Sequence, residues 1–184
     1  MKFETRTDQE KVMVTVVCIT YNHEQYIAEA LESFVRQKTN FKFKIFVGED
    51  HGPDKTAEII KDYAEKYPEI IVPFLREENI GAQRNLIDLC QHAQSPYIAF
   101  CEGDDYWIDE YKLQKQFDYM EANPEMRACY CRTKIEAPED WHLRNYYITN
   151  NKGDLVWPDC EPNYKVHLDP ITCFDYISFF PAHT

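Results

Sequence analysis

The sequence contains no run of about 18 apolar residues that could cross a bilayer as a helix, and its opening stretch, MKFETRTDQEK, lacks the apolar segment of a secretory signal. A cytoplasmic chain is expected, at most peripheral at the inner face of a membrane. Bases are also short: 20 Lys and Arg against 32 Asp and Glu give a formal charge of -12. That balance disfavours a nucleic-acid partner, whose phosphate backbone calls for a basic surface. A polyanionic partner would need a local basic patch or a metal. Two nucleotide fingerprints are missing as well, the G-x-G-x-x-G of dinucleotide-binding folds and the G-x-x-x-x-G-K-[ST] phosphate loop. Glycine is scarce, with five in the whole chain.

Cysteine is present in odd number, seven, without an export signal, so the thiols read as reduced. Cys18 and Cys101 lie in apolar runs and read as small core residues. Cys129-x-Cys131 has neither the spacing nor the downstream partners of a zinc half-site. At 184 residues and 44% hydrophobic content, the chain can build one domain with a sizeable core.

What is present is alternation. Lys11 to Thr20, KVMVTVVCIT, has the near-continuous apolarity of a strand buried on both faces, and so of a central one. His23 to Lys38 then sets Tyr26, Ile27, Ala30, Leu31, Phe34 and Val35 at helical spacing. Strands are predicted at 43–47, 70–75 and 97–101, and helices at 53–67, 82–93 and 110–122, with a further strand at 128–132. Strands separated by helices of this length imply right-handed crossovers and a mostly parallel sheet. The expected fold is α/β, a three-layer domain. From 136 to 165 the pattern weakens into irregular chain, and Trp141 and Trp157 receive no assignment. The last stretch, DPITCFDYISFFPAHT, is apolar.

In open parallel sheets ligands bind beyond the carboxyl ends of the strands. Here those ends read Thr20-Tyr21-Asn22-His23, Gly48-Glu49-Asp50-His51-Gly52, Asn79 to Asn85, and Glu102-Gly103-Asp104-Asp105. Three of the four carry a glycine, which concentrates backbone freedom at one face. Carboxylates repel phosphate unless a divalent cation lies between them, and magnesium or manganese favours oxygen ligands while keeping sites for phosphate oxygens. Glu102 and Asp104, alternating on an extended segment, would project to one side. The carboxylates therefore read as holding a metal that holds a diphosphate. The plainer reading is a solvated acidic turn with Asp109 capping the next helix. For His23 and His51 the plain reading is exposed loop histidines, and for Tyr106-Trp107 it is packing beneath the loop.

With order and spacing taken together, VTVVCITYNHEQYIAEALESF, VGEDHGPDKTAEII, NIGAQRN and YIAFCEGDDYW resemble the family 2 glycosyltransferases of GT-A, Rossmann-like fold, over roughly residues 12 to 125. The resemblance implies that Thr20, Tyr21 and Asn22 line a nucleoside pocket and that Asp50 hydrogen-bonds the base, usually uracil. Asp54 falls where the family has an aspartate opening the second helix. Glu102-Gly103-Asp104 stands at the family's D-x-D motif, with Asp104 on the cation (Mn2+ or Mg2+) and Glu102 toward ribose or metal. Asp105 would face the donor sugar, and Arg84 is a candidate contact to diphosphate or sugar. Glu102 replaces the usual aspartate, Gly52-Pro53 stands where Ser-Thr is common, and NIGAQRN is shorter than the commonest spacing.

The implied activity is metal-dependent transfer, with inversion, of a sugar from a nucleotide-diphosphate donor, a UDP-sugar, to a glycan hydroxyl in cell-surface polysaccharide synthesis. Residues 1–134 would form the donor-binding core and 135–184 the start of an acceptor-side region. The catalytic base is not identified, since Asp169 and Asp175 read as capping or surface residues. The chain thus looks like the donor-binding portion of such an enzyme, cut or naturally short. The alternative is a nucleotide-sugar-binding module without catalysis. If the chain is a fragment, residues 170–184 should expose an apolar patch or pair between copies as a homo-oligomer. A sugar nucleotidyltransferase would need a glycine-rich basic loop that ITYNHEQY does not supply.

Overall fold

The computed structural model describes residues 11–131 and the short strands at 148–149, 155–156 and 180–181. Strands and helices alternate as β1 (Val12–Thr20), α1 (Ile27–Val35), β2 (Lys42–Glu49), α2 (Thr56–Lys66), β3 (Ile71–Leu75), α3 (Ala82–His92), β4 (Tyr97–Phe100) and α4 (Lys112–Ala122). Three two-residue strands follow, β5 (Ile148–Thr149), β6 (Leu155–Val156) and β7 (Phe180–Pro181). The main sheet runs β3-β2-β1-β4-β7. Its first four strands are mutually parallel, and β7 joins β4 antiparallel. The chain divides into two units: residues 1–129 with 176–184, and residues 130–175, which carry the antiparallel pair β5-β6.

The apolar run of β1 becomes the strand between β2 and β4. Side chains alternate across a sheet, and β1 feeds two cores. Val14, Val16 and Cys18 join Ile27, Leu31 and Phe34 of α1, Ile60 of α2 and Leu113 and Met120 of α4. Val17 joins Leu89 and Ala93 at the α3 side, with Ile98 of β4. The three layers are therefore α1, α2 and α4 on one face, the sheet, and α3 on the other. Pro73 lies in β3, at the edge of the sheet, where a missing N–H costs least.

Two expectations need correction. Helix α1 is shorter than 23–38 at both ends, and Tyr26, counted on the inward stripe, is 51% exposed. The His23 carbonyl accepts both Tyr26 N–H and Ile27 N–H at 2.9 Å, so residues 23–26 form a turn that feeds the helix. Residues 128–131 form no strand, although Cys129 is buried. Apolarity there reflects packing onto the core without a ladder partner. Trp141, Trp157, Asp169, Asp175 and, apart from β7, the apolar stretch 170–184 lie outside the described residues.

The segment after β4 is stapled to the end of α1. Trp107 N–H donates to Ser33 Oγ (3.0 Å), Arg36 Nη2 donates to the Trp107 carbonyl, and Gln37 Nε2 donates to the Asp109 carbonyl (2.8 Å). Gln37 Oε1 in turn accepts Leu113 N–H (3.0 Å). The Trp107 ring packs on Phe34 at 4.7 Å between centroids, with Lys112 Nζ 4.2 Å from its centre. Trp107 is thus a packing residue beneath the loop. Its aromatic anchor and the side-chain hydrogen bonds hold a loop that would otherwise lack ladder partners.

Candidate functional site

Backbone hydrogen bonds draw the carboxyl ends of four neighbouring strands together. Asp50 N–H donates to the Thr20 carbonyl (3.0 Å), joining β2 to β1, and Gly103 N–H donates to the Ile19 carbonyl (3.0 Å), joining the acidic segment to β1. Arg76 N–H donates to the Glu49 carbonyl (3.0 Å) and carries the register past β3. The residues that follow must turn sharply. Asn22 and His51 both take φ of 60°, the left-handed region that non-glycine residues seldom enter, at two adjacent strand ends. Glu49 braces the second of these turns by accepting His51 N–H (3.1 Å) and Gly52 N–H (2.7 Å).

Asp50 is buried, and both its carboxylate oxygens accept backbone donors at 2.8 Å, Oδ1 from Ile80 and Oδ2 from Gly81. Each oxygen keeps a second acceptor site. Asp50 thus latches the 79–81 loop onto the sheet while still able to accept a further donor. Behind that loop, buried Asn85 donates to the Gly48 carbonyl (2.8 Å) and accepts Arg76 Nε (3.1 Å) and Nη2 (2.9 Å), while Arg76 Nη2 also reaches Asp88 (2.7 Å). Gly48 is required here because a Cβ would stand 2.4 Å from Asn85 Oδ1.

Thr20 is buried, whereas Tyr21 is 45% exposed and Asn22 is exposed beside it. Arg84 is exposed on the first turn of α3 and makes no ion pair among the described residues. Asp54 ties two helices together, accepting Glu24 N–H (2.9 Å) and Thr56 N–H (3.0 Å), while Glu24 Oε2 accepts Lys55 N–H (3.0 Å). Desolvation acts to raise its pKa, but the hydrogen bonds from Thr56 and Glu24 outweigh it and hold the carboxyl below its usual value. Asp109 accepts Tyr111 N–H (2.9 Å) at the approach to α4. It does not cap α4 as foreseen, because the N-cap is Tyr111, without a side-chain cap; Asp109 closes the turn before the helix and leaves the carboxylates before it unexplained.

Those carboxylates stand on a tight bend, with Asp105 N–H donating to the Glu102 carbonyl (3.2 Å). A Cβ on Gly103 would lie 2.6 Å from Thr20 Oγ1 and 3.0 Å from His23 Nδ1, so only glycine fits there. Glu102 is half-buried, Asp104 and Asp105 are exposed, and His23 Nε2 faces Asp104 Oδ2 at 3.8 Å. Burial first, then the neighbouring Asp104 and Asp105, push the Glu102 pKa up. Burial likewise pushes up the Cys18 thiol beneath, leaving it a protonated core residue. The five described cysteines are all free.

A carboxyl with a higher pKa in the folded state favours folding at low pH, and that contribution is lost as pH rises through the folded value. At neutral pH ionised Glu102 therefore weighs on the fold, with solvent screening part of the effect. Glu102→Gln is expected to raise the thermal midpoint at neutral pH by about 2 °C and to leave it unchanged near pH 4. Scanning calorimetry at both pH values decides it: a variant that melts lower than wild type at neutral pH refutes the account.

Among the described residues no group of three or more His, Cys, Asp or Glu is arranged to hold a metal ion. Magnesium-type sites that act on phosphates need only one or two carboxylates, with phosphate and water oxygens filling the other positions. Glu102 and Asp104 fit that donor set, since a cation would offset the repulsion that raises the Glu102 pKa.

Most of these residues stand at strand ends, where the sequence alone points to them. Glu49, Arg76 and Asn85 were passed over as individual residues, although Arg76 directly follows β3 and Asn85 is an amide in the α3 turn that carries buried Leu89. His23, read as an exposed loop residue, has its side chain 21% exposed and its Nδ1 fully buried.

An uncharacterized protein of Mycobacterium tuberculosis is 43% identical over 122 residues, 66% of this chain and 35% of the relative. The putative teichuronic acid biosynthesis glycosyltransferase TuaG of Bacillus subtilis is 33% identical over 110 residues, 60% of this chain and 42% of TuaG. The chain thus spans well under half the length of either relative. Among solved structures, the mannosyltransferase PcManGT of Pyrobaculum calidifontis, in complex with GDP-Man and Mn2+, superposes with a TM-score of 0.59 at 22% identity, covering 76% of this chain and 40% of that one. TarS 1-349 of S. aureus in complex with UDP gives 0.56 at 23%, covering 70% and 38%. These likenesses establish the GT-A fold. The model of the family described as glycosyl transferase family 2 matches residues 15–180, from β1 to β7 and through every strand end described above, and the chain belongs to that family.

Proposed function

We propose that this chain forms the donor-binding part of a metal-dependent, inverting glycosyltransferase that moves a sugar from a UDP-sugar to a hydroxyl of a growing cell-surface glycan. The observation that carries the reading is the convergence of the β1, β2 and β4 ends, with a bend that packs Gly103 against Thr20 and carries a carboxylate on either side of it. Family membership supports transfer, UDP in TarS supports the nucleotide, and the teichuronic acid assignment of TuaG supports a cell-surface product. Mn2+ in the PcManGT complex supports a divalent ion.

In this reading Thr20, Tyr21 and Asn22 border the nucleoside, and Asp50 offers its remaining lone pairs to the base. Asp104 and Glu102 hold the cation, which when bound stabilises the negative charge of the leaving diphosphate. Asp105 turns toward the sugar, and Arg84 reaches diphosphate or sugar from α3. The acceptor hydroxyl attacks the anomeric carbon from the opposite side, and its proton passes to a base in the acceptor half. Residues 1–134 supply the donor core, and 135–184 begin the acceptor side. No described helix is long and apolar enough to cross a membrane. The protein works in the cytoplasm, at the membrane face where the glycan grows.

Calorimetric titration with UDP tests this. Binding is expected to be at least about tenfold tighter with Mn2+ than with EDTA, because the cation bridges carboxylates and diphosphate. Absence of UDP binding under both conditions would remove the donor site, and equal binding under both would remove the metal.

A further inference from the structure

Two buried side-chain atoms among the described residues lack a hydrogen-bond partner, Thr20 Oγ1 and His23 Nδ1. They face the same point, the Cα of Gly103, whose missing Cβ would lie 2.6 Å from one and 3.0 Å from the other. The opposite edge of the imidazole, Nε2, faces Asp104 Oδ2 at 3.8 Å, too long for a hydrogen bond and short enough for a small carboxylate rotation to make one. Buried polar atoms without partners are uncommon, and two at one glycine beside an acidic bend are a feature to account for.

His23 is otherwise held fast. Its N–H donates to Thr56 Oγ1 (2.9 Å) at the start of α2, and its carbonyl accepts the N–H groups of Tyr26 and Ile27. Its ring meets Tyr26 edge-on at 6.4 Å. The acidic bend has freedom on its outer side, since Asp104 is 47% exposed. Between a fixed imidazole and an exposed carboxylate, the carboxylate is the part that adjusts.

We propose that Thr20 and His23 form a positioning relay for Asp104. With a small rotation of the Asp104 carboxylate and of the Thr20 hydroxyl, His23 Nε2–H donates to Asp104 and the Thr20 hydroxyl donates to His23 Nδ1. Accepting at Nδ1 fixes the tautomer that carries the proton on Nε2. One Asp104 oxygen is then held and the other would be left for a cation, the way outer partners orient metal-binding carboxylates. Neither residue reacts. This inference rests on the metal-dependent donor reading above and adds the residues that set its geometry.

The test is Mn2+ titrated into protein saturated with UDP, on wild type, Thr20→Val, His23→Gln and His23→Asn, with thermal midpoints measured alongside. A Gln amide can stand where Nε2 was, and an Asn amide only where Nδ1 was. His23→Asn is expected to weaken Mn2+ binding about 10-fold or more, within the range for lost outer partners, and His23→Gln to restore most of it. Thr20→Val is expected to weaken it by a similar factor, with the Thr20→Val/His23→Asn double variant little worse than either single change, because the two act as a unit. Wild-type affinity in His23→Asn overturns the relay. So do equal losses in the Gln and Asn variants, or losses that follow the thermal midpoint, either of which marks a structural role. Failure of wild type to bind Mn2+ with UDP overturns the functional reading instead, and is seen before any variant is compared.

Discussion

Asp104→Ala is expected to weaken Mn2+-dependent UDP binding by about 100-fold or more while leaving the thermal midpoint nearly unchanged. Both halves follow from where the side chain stands. Asp104 is 47% exposed and faces a histidine nitrogen 3.8 Å away, too long for a hydrogen bond, so truncation leaves no buried group newly unpaired. Surface changes of that kind stay within roughly 0.5 kcal/mol. The binding loss is large because the proposed site has two carboxylates for the ion, and losing an outer partner alone costs about 10 to 100-fold. Titration calorimetry and a thermal melt on one preparation suffice. A variant that binds UDP with Mn2+ like wild type would move the metal site elsewhere, and one that unfolds would make Asp104 structural.

The prediction separates the two acids of the motif. Ionised Glu102 is destabilised by burial first and by its acidic neighbours second, so its neutral variant should gain stability as it loses metal, whereas Asp104 should lose metal with stability unchanged. A site that costs the fold something in the absence of its ligand is the ordinary signature of function held against stability.

Much of the fold could be read in the sequence because apolarity and period act locally. KVMVTVVCIT has the composition of a strand covered on both faces, and β1 lies between two others with a helix layer on each side. Tyr26 was misplaced because helical spacing extended one turn too far: it keeps period with Ile27 and Ala30, but His23 closes the turn before the helix begins. Cys129 misled in another way, since burial by packing and burial by pairing leave the same apolar trace. At the site, the strand-end rule located the carboxylates. It could not show that Asp50 already holds Ile80 and Gly81, or that Asn22 and His51 enter left-handed backbone, because these depend on chain segments about 30 residues apart meeting in space.

Asn85 offers the largest expected effect on stability, and it stands next to the residue expected to show almost none. Its amide is 1% exposed and joins three elements, donating to Gly48 of β2 and accepting twice from Arg76 beyond β3 while riding on α3. Asn85→Ala would take from the Gly48 carbonyl its side-chain donor and leave the Arg76 guanidinium with Asp88 as its remaining side-chain hydrogen-bond acceptor. Buried hydrogen bonds contribute about 0.5–1.5 kcal/mol each, and about 1.5–3 kcal/mol where a charge is involved. A loss of about 3 kcal/mol is expected, lowering the midpoint by roughly 6–12 °C. Gly48→Ala should do comparable harm from the other side, since its Cβ would collide with the same amide oxygen and with Leu89 Cδ1 at 2.9 Å. Arg84→Ala, one residue away but exposed, should leave the midpoint unchanged and alter only UDP affinity. If Asn85→Ala melts like Arg84→Ala, the junction does not hold the 79–81 loop, and the Asp50 latch must carry it alone. If it melts early and UDP affinity falls even well below its midpoint, the junction sets the position of Asp50 as well as the stability of the sheet.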